Sequence, residues 1–380
     1  MSTVGLRVTV VAPELTSTAG MWGDCSGGWQ PVGASWVGRL AELGVPYEVS
    51  AHVSEPSAGL VIDAEDTGID GERVIAGPPP AEPEGTLQLL AAHLGAVVVP
   101  DLRGVLVLRL DDPGAAVKEH LRGWAHQPVS AEAWDELWRS LDGCGRASVF
   151  CCPGYVRDDG TVVDSRTALP TEWAALDDGV RAGHIDLECH GYTHMDPDGA
   201  AWVAAPDRRD NADWYREMWP PRLPVEPSVD EQVGTLRAWQ RGAGAAGTAV
   251  VAPGERWGLN TLAAARACGF GLFNSWGMCF LQRDVPTWTT GIGSPYLDEP
   301  DAALIGTGLP QVGYWHDRDM AVQGPRWVGE QLEKWRDSGV RRAMSFAELY
   351  RAYQPIDAVL DAGEVGVRSG PPGALRVVRP

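Results

Sequence analysis

The chain reads as an α/β protein, a distorted (β/α) barrel preceded by a small α/β domain. Three observations predict this. Short apolar, β-branched runs alternate with amphipathic helical stretches, the pattern of parallel-sheet units. Polar residues able to do chemistry stand at the C-terminal ends of successive strands, where α/β barrels assemble their sites. The 380 residues are too many for one small domain and suit a barrel plus a minor one.

The expected boundaries are 1–103 for the small domain, 104–355 for the barrel and 356–380 for a C-terminal extension. In the first part Arg7–Ala12 is β-rich and Trp36–Leu43 is helical, stopping at Gly44. Tyr47–Ser50, Leu60–Ile62 and Val74–Ile75 are extended, then a helix near Leu87–Leu94 leads to the strand Ala96–Pro100. Gly20–Gly33, rich in Gly and Trp, lacks phosphate-loop or dinucleotide spacing and is expected to form an ordered loop over a pocket.

In the barrel, Leu106–Leu110 runs into Asp111-Asp112, and Ala147–Cys152 into Pro153-Gly154-Tyr155. Ile185–Cys189 ends at His190, Ala249–Ala252 at Pro253-Gly254-Glu255-Arg256, Gly271–Asn274 at Ser275-Trp276, and Gln311–Trp315 at His316-Asp317. Helices fit at Ala131–Leu141, Glu172–Ala182, Val229–Gly242, Leu259–Cys268, Gly329–Ser338 and Phe346–Tyr353. Residues 195–228 break this rhythm with an acidic, Pro-rich stretch holding Trp202, Trp214, Tyr215 and Trp219. A loop of that length in a compact domain usually serves as a lid or substrate wall. The tail is expected to form a hairpin from Val365–Arg368 and Leu375–Val378.

A net charge of −20, from 51 acidic and 31 basic side chains, argues against nucleic acid or anionic membrane as a main partner. The seven cysteines form no C-x-x-C pair. With no secretion signal at the N-terminus and no membrane-spanning run, reduced, mostly buried thiols and a cytoplasmic location are expected. Cys151-Cys152 has no evident partner for nucleophilic chemistry and reads as buried thiols. Most of the 17 Trp are expected to pack the core.

The chemistry concentrates in His190-Gly191-Tyr192-Thr193-His194 and Asp111-Asp112. Imidazoles four residues apart face one point if the segment turns helically. A carboxylate from another strand end would complete a facial set of two His and one carboxylate, which leaves coordination positions open for water and substrate. Its neighbouring carboxylate would then be free to act as a base.

In this order the motifs resemble the polysaccharide deacetylase superfamily (NodB homology, carbohydrate esterase family 4), as a divergent member, over about residues 104–353. Arg109-Leu110-Asp111-Asp112-Pro113-Gly114 is similar to the family's first motif, Thr-Phe-Asp-Asp-Gly. The resemblance implies Asp111 as catalytic base and Asp112 as metal ligand, with His190 and His194 as the remaining ligands. Val251-Ala252-Pro253 with Gly258 resembles the third motif, and Val312-Gly313-Tyr314-Trp315-His316 the last, which implies His316 as general acid. Where the family has an arginine that orients the base this chain has Ala252, and Arg256 stands nearby as a candidate to take over. No Asp-x-x-Asp-Trp motif is evident, and Asn274-Ser275-Trp276 falls near its place.

Tyr155, Tyr192, Pro253, Arg256, Trp276 and Trp315 sit beside these motifs and are candidate substrate contacts. The implied cofactor is one divalent ion, zinc first, with iron, manganese or cobalt also suited to the donor set. The expected function is metal-dependent cleavage of a C–N amide bond, N-deacylation of an amino sugar or a related small molecule. A homo-oligomer is compatible with the sequence. The rival readings are another reaction on the same metal barrel (ring opening, cyclisation or isomerisation) and a non-catalytic ligand-binding protein.

Overall fold

A computed structural model describes residues 4–5, 8–11, 36–50, 60–64, 74–282, 286–289, 291–361, 364–370 and 373–380. The Gly20–Gly33 segment lies outside the described residues.

Strands Tyr47–Ser50, Val8–Val11, Leu60–Asp63 and Val74–Ala76 form, in that spatial order, an all-parallel sheet. Helix Trp36–Leu43 buries Trp36, Val37, Leu40 and Leu43 in a core with Val8, Val10, Leu60, Ile62, Leu87 and Leu90. This core also takes in Leu309, Ile356, Ala358 and Val378 from later in the chain. The tail differs from the expected hairpin. Glu364–Ser369 pairs antiparallel with Asp357–Asp361, whereas Leu375–Val378 crosses over to pair with Val97–Pro100. Val97–Pro100 is buried along its whole length, and adding the last strand satisfies its free edge.

The larger sheet has nine strands. Thr287–Thr289, Met278–Phe280, Leu272–Asn274, Ala249–Val251, Ile185–Cys189, Ala147–Cys151, Val105–Asp111 and Gln311–His316 follow one another across it. Strand Arg342–Met344 shares the edge of Val105–Asp111 with Ala147–Cys151, pairing Val105–Val107 while the latter pairs Arg109–Asp111. Most neighbours are parallel, but the two strands after Leu272–Asn274 are antiparallel. Among the described residues the sheet does not close into the expected barrel. Beyond Gln311–His316 runs an irregular segment, residues 293–297, bonded through Val312 N to Gly293 O, Tyr314 N to Pro295 O and Leu297 N to Tyr314 O. Proline has no N–H to donate and Gly293 no side chain to pack, so this segment does not continue as a regular strand.

Strand alternation explains the two layers. Leu106, Leu108 and Leu110 face the helix layer, where Trp134, Leu137, Trp173, Leu176, Trp239 and Trp335 cover them. Val105 and Val107 face the opposite side with Phe150, Val251, Leu272 and Val312, under Phe346, Leu349 and Tyr353. Helix Ala131–Leu141 is typical of the covering elements. Ser130 caps it by accepting from Ala133 N, and Ala133, Trp134, Leu137 and Leu141 form its buried stripe. Each such large side chain contributes about 2–3 kcal/mol by burial. No described helix is long and apolar enough to cross a membrane.

Candidate metal centre and active site

Alternation continues past the apolar part of the central strand. Arg109 and Asp111 share the parity of Val105 and Val107, so both side chains emerge on the face opposite the main helix layer, at the strand's C-terminal end. Asp112 then takes a left-handed backbone (φ 79°), which turns its carboxylate toward the His190–His194 loop. Asp112, His194 (φ 66°) and Glu255 (φ 53°) are the non-glycine residues with positive φ among the described residues. All three line one cavity of about 220 Å³. Left-handed conformations cost non-glycine residues about 1 kcal/mol or more and gather at functional sites.

The loop carrying the two histidines is not helical. Gly191 (φ 72°) and His194 reverse the chain instead, and the two rings meet edge to face with centroids 4.9 Å apart. Glu217, from the 195–228 insert, holds the loop. Its buried carboxylate accepts from Thr193 N at 3.0 Å, Thr193 Oγ1 at 2.9 Å and His194 N at 3.1 Å. Burial raises the Glu217 pKa, opposed by the hydrogen bonds from Thr193. A Cβ at position 191 would lie 2.3 Å from Glu217 Oε2, so only glycine fits there.

His190 Nδ1 lies 3.0 Å from the Val251 carbonyl, which fixes the proton on that nitrogen and leaves Nε2 a lone pair. Nε2 points at Asp112 Oδ1, 3.2 Å away, and His194 Nε2 lies 3.4 Å from the same oxygen. Asp112 Oδ1 is buried and has no hydrogen-bond partner, while Oδ2 accepts from Trp124 Nε1 at 3.2 Å. One donor atom from each of these three residues lies within 4.8 Å of the others. A buried carboxylate oxygen facing two imidazole nitrogens is a donor set able to hold a cation. The donor set fits one divalent ion of the borderline class.

Asp111 is held differently from the arrangement the resemblance implies. Arg109, two residues earlier on the same strand, donates to it through Nε at 2.9 and 3.0 Å and through Nη2 at 2.6 Å. The guanidinium also donates to Asn274 Oδ1 at 2.9 Å and Glu255 Oε1 at 3.3 Å, and Ser275 Oγ donates to the other Glu255 oxygen. Burial works against the charge on Arg109, but Asp111 and Glu255 outweigh it and raise its pKa. Arg256 is turned away. Its Nε donates to Trp219 O at 3.0 Å and its guanidinium stacks 4.6 Å from the Trp219 ring.

His316 shares the parity of Val312 and Tyr314 and reaches the same cavity. Its Nδ1 lies 2.6 Å from Tyr296 Oη and 3.7 Å from Asp319 Oδ2, and Trp124 packs edge-on against the ring. Burial lowers the His316 pKa, but Asp319, Asp112 and Asp111 overcome this and raise it to about 9. Behind it Asp317 enters a buried network with Lys118, which donates to Glu172 at 2.8 Å, and Gly114 N donates to the same carboxylate at 2.5 Å. This ties the Asp112 loop to the His316 loop.

The six expected substrate contacts separate. Trp276 is 60% exposed and lines the cavity. Trp315, opposite in parity to His316, is fully buried in the helix-side core. The Tyr192 ring packs against Gly154 and Gly242, and Tyr155 donates to Glu119. Pro253 is buried beside Gly191. These four and Arg256 are not in the cavity wall, which Trp124, Ala212, Tyr215, Arg216, Glu255 and Tyr314 help to form. The insert thus forms part of the wall. Cys151, Cys152 and Cys189 are buried, and burial pushes all three thiols up.

No family model matches the chain, and no curated protein is similar to it. Solved structures similar to it include the chitin deacetylase of Colletotrichum lindemuthianum, at 13% identity over 66% of this chain and 88% of that one, TM-score 0.37. The Xyl-CE4 domain of a multidomain xylanase from the hindgut metagenome of Trinervitermes trinervoides has 12% identity over 65% and 89%, TM-score 0.34. A CE4 family pseudoenzyme from Bacillus anthracis has 12% identity over 66% of each chain, TM-score 0.33. The functional reading therefore rests on the geometry of the site.

Proposed function

We propose that this chain is a metal-dependent hydrolase that cleaves a C–N amide bond, removing an acyl group from a small N-acylated amine such as an amino sugar. One observation carries the reading. Asp112, His190 and His194 converge on one point beside Asp111, with His316 in the wall of the same small cavity. These three residues would hold the ion, which when bound polarises an acyl carbonyl and makes water more acidic.

The chain's own residues supply the proton transfers. Asp111, oriented by the Arg109 fork, accepts a proton from the attacking water. His316, steadied by Tyr296 and Asp319, donates a proton to the departing nitrogen. An amine leaves poorly unless protonated, and a histidine paired with Asp319 is suited to deliver that proton. Arg109, on the strand of Asp111 itself, supplies the orienting guanidinium that position 252 lacks, which supports a catalytic reading.

Elemental analysis of the purified protein, followed by acyl release from N-acetyl amines, tests this. About one divalent ion per chain and product release that Asp111→Asn abolishes without loss of metal are expected. Protein that binds no divalent ion, or release unchanged in Asp111→Asn, refutes the proposal.

A further inference from the structure

Arg216 stands out among the arginines of the insert. Arg209 pairs with Asp158 and Arg222 with Asp196 at 2.6 Å, while Arg208 donates to the Asp158 carbonyl at 3.1 Å. Arg216, in the cavity wall, has only an exposed contact from Nε to Asp213 at 3.4 Å. Its two terminal nitrogens, with four N–H donors, have no partner among the described residues. The position is built. Gly254 (φ 63°) lies under the Arg216 stem, and a Cβ there would come within 2.8 Å of Arg216 Cγ. A second cation adds to the field on the Trp124 side. The Arg318 guanidinium lies 5.3 Å over the ring of Trp124, itself part of the wall, and Arg318 Nε is buried with no hydrogen-bond partner.

In a chain with a net charge of −20, two arginines beside one cavity, one with both terminal nitrogens unpartnered among the described residues and one with a buried, unpaired Nε, are a selective feature. Arg109 is shared between Asp111 and Glu255, the divalent ion of the proposed centre would face Asp112, and Asp213 meets only Nε of Arg216. The terminal nitrogens of Arg216 are then the cationic donors of the wall left to meet an anion. We infer that the substrate carries an oxyanion, a carboxylate or a phosphate ester, beyond the scissile amide, and that the Arg216 guanidinium binds it. This rests on the hydrolase reading for the amide and on the geometry of Arg216 for the anion.

Binding to the metal-loaded protein tests it apart from turnover. The probes are N-acetylglycine against its neutral analogue N-acetylglycinamide, and N-acetylglucosamine 1-phosphate against N-acetylglucosamine, each followed by calorimetry. At least one anionic probe is expected to bind about tenfold or more tighter than its neutral analogue. Arg216→Gln should abolish that preference and Arg216→Lys restore part of it, with melting temperatures of both variants near wild type. Which anion gains identifies carboxylate or phosphate as the group read. Equal affinity for charged and neutral probes, no binding of any probe, or a preference that survives in Arg216→Gln overturns the inference. An anion preference without acyl release would instead overturn the hydrolase reading and leave the Arg216 subsite standing.

Discussion

Removing the Arg109 guanidinium tests whether it is there to compensate the buried Asp111 carboxylate. The two side chains are 3% and 2% exposed, and among the described residues Arg109 supplies the side-chain hydrogen bonds to the Asp111 carboxylate. Arg109→Met leaves that carboxylate buried and unpaired, which costs about 3–5 kcal/mol. Asn274 and Glu255 each lose a donor as well, for about 1 kcal/mol apiece. Asp111→Leu alone is milder, at about 2–3 kcal/mol, because Glu255 still faces the guanidinium. In Arg109→Met with Asp111→Leu no charge of the pair is left uncompensated, and about 2 kcal/mol of loss should remain. The cycle therefore predicts a coupling energy of about 5–8 kcal/mol, the two single losses together exceeding the double by that amount. Urea denaturation of the metal-free protein, followed by tryptophan fluorescence, measures all four species without interference from metal binding. Single-variant losses that add to the double-variant loss within about 0.5 kcal/mol would refute the pairing argument.

Further predictions address the histidine loop and a distant carboxylate. Glu217→Ala strips three buried donors of their acceptor and should weaken metal affinity about tenfold or more, read by competition with a chelating dye, whereas Glu217→Gln should lose less. Gly191→Ala would drive a Cβ into Glu217 Oε2 and Pro253 in a left-handed position, so the melting temperature should fall by several degrees through a loss of about 2–4 kcal/mol. Burial pushes the Glu42 carboxyl up to about 7, against the opposing pull of Arg39 and of the Gly291 N–H. A folded-state pKa above the ordinary 4.5 means that folding takes up a proton, so this contribution is full below pH 4.5 and is lost as pH rises through 7. The loss is about 3 kcal/mol at most, and Glu42→Gln should flatten that part of the stability profile in denaturant melts from pH 4 to 8.

Much was legible in the residue order, because local chemistry decided it. The alternation of apolar strands and helical stripes specified an α/β architecture, and every strand end picked out for chemistry between Asp111 and His316 is a strand end in the structure. The three proposed ligands converge because Asp112 and His190 each follow directly on an apolar strand of the same sheet, and the reversal at Gly191 brings His194 back to them. Period two also put Arg109 on the face of Asp111, so that pairing was readable in principle. The third motif points instead to Arg256, which the structure turns toward Trp219. The same parity rule separates Trp315 from His316.

What only the tertiary structure decided depends on contacts between distant segments, which no local pattern encodes. Sheet closure failed at the irregular segment beyond Gln311–His316, and the last strand chose Val97–Pro100 over its neighbour in sequence. Glu217 clamps a loop more than twenty residues upstream, Trp124 and Glu255 reach the cavity from separate segments, and Tyr296 holds His316 from a third. Residue types and strand parity thus determined which side chains could do chemistry. Chain crossings, pinned by buried hydrogen bonds and left-handed turns, decided which of them meet.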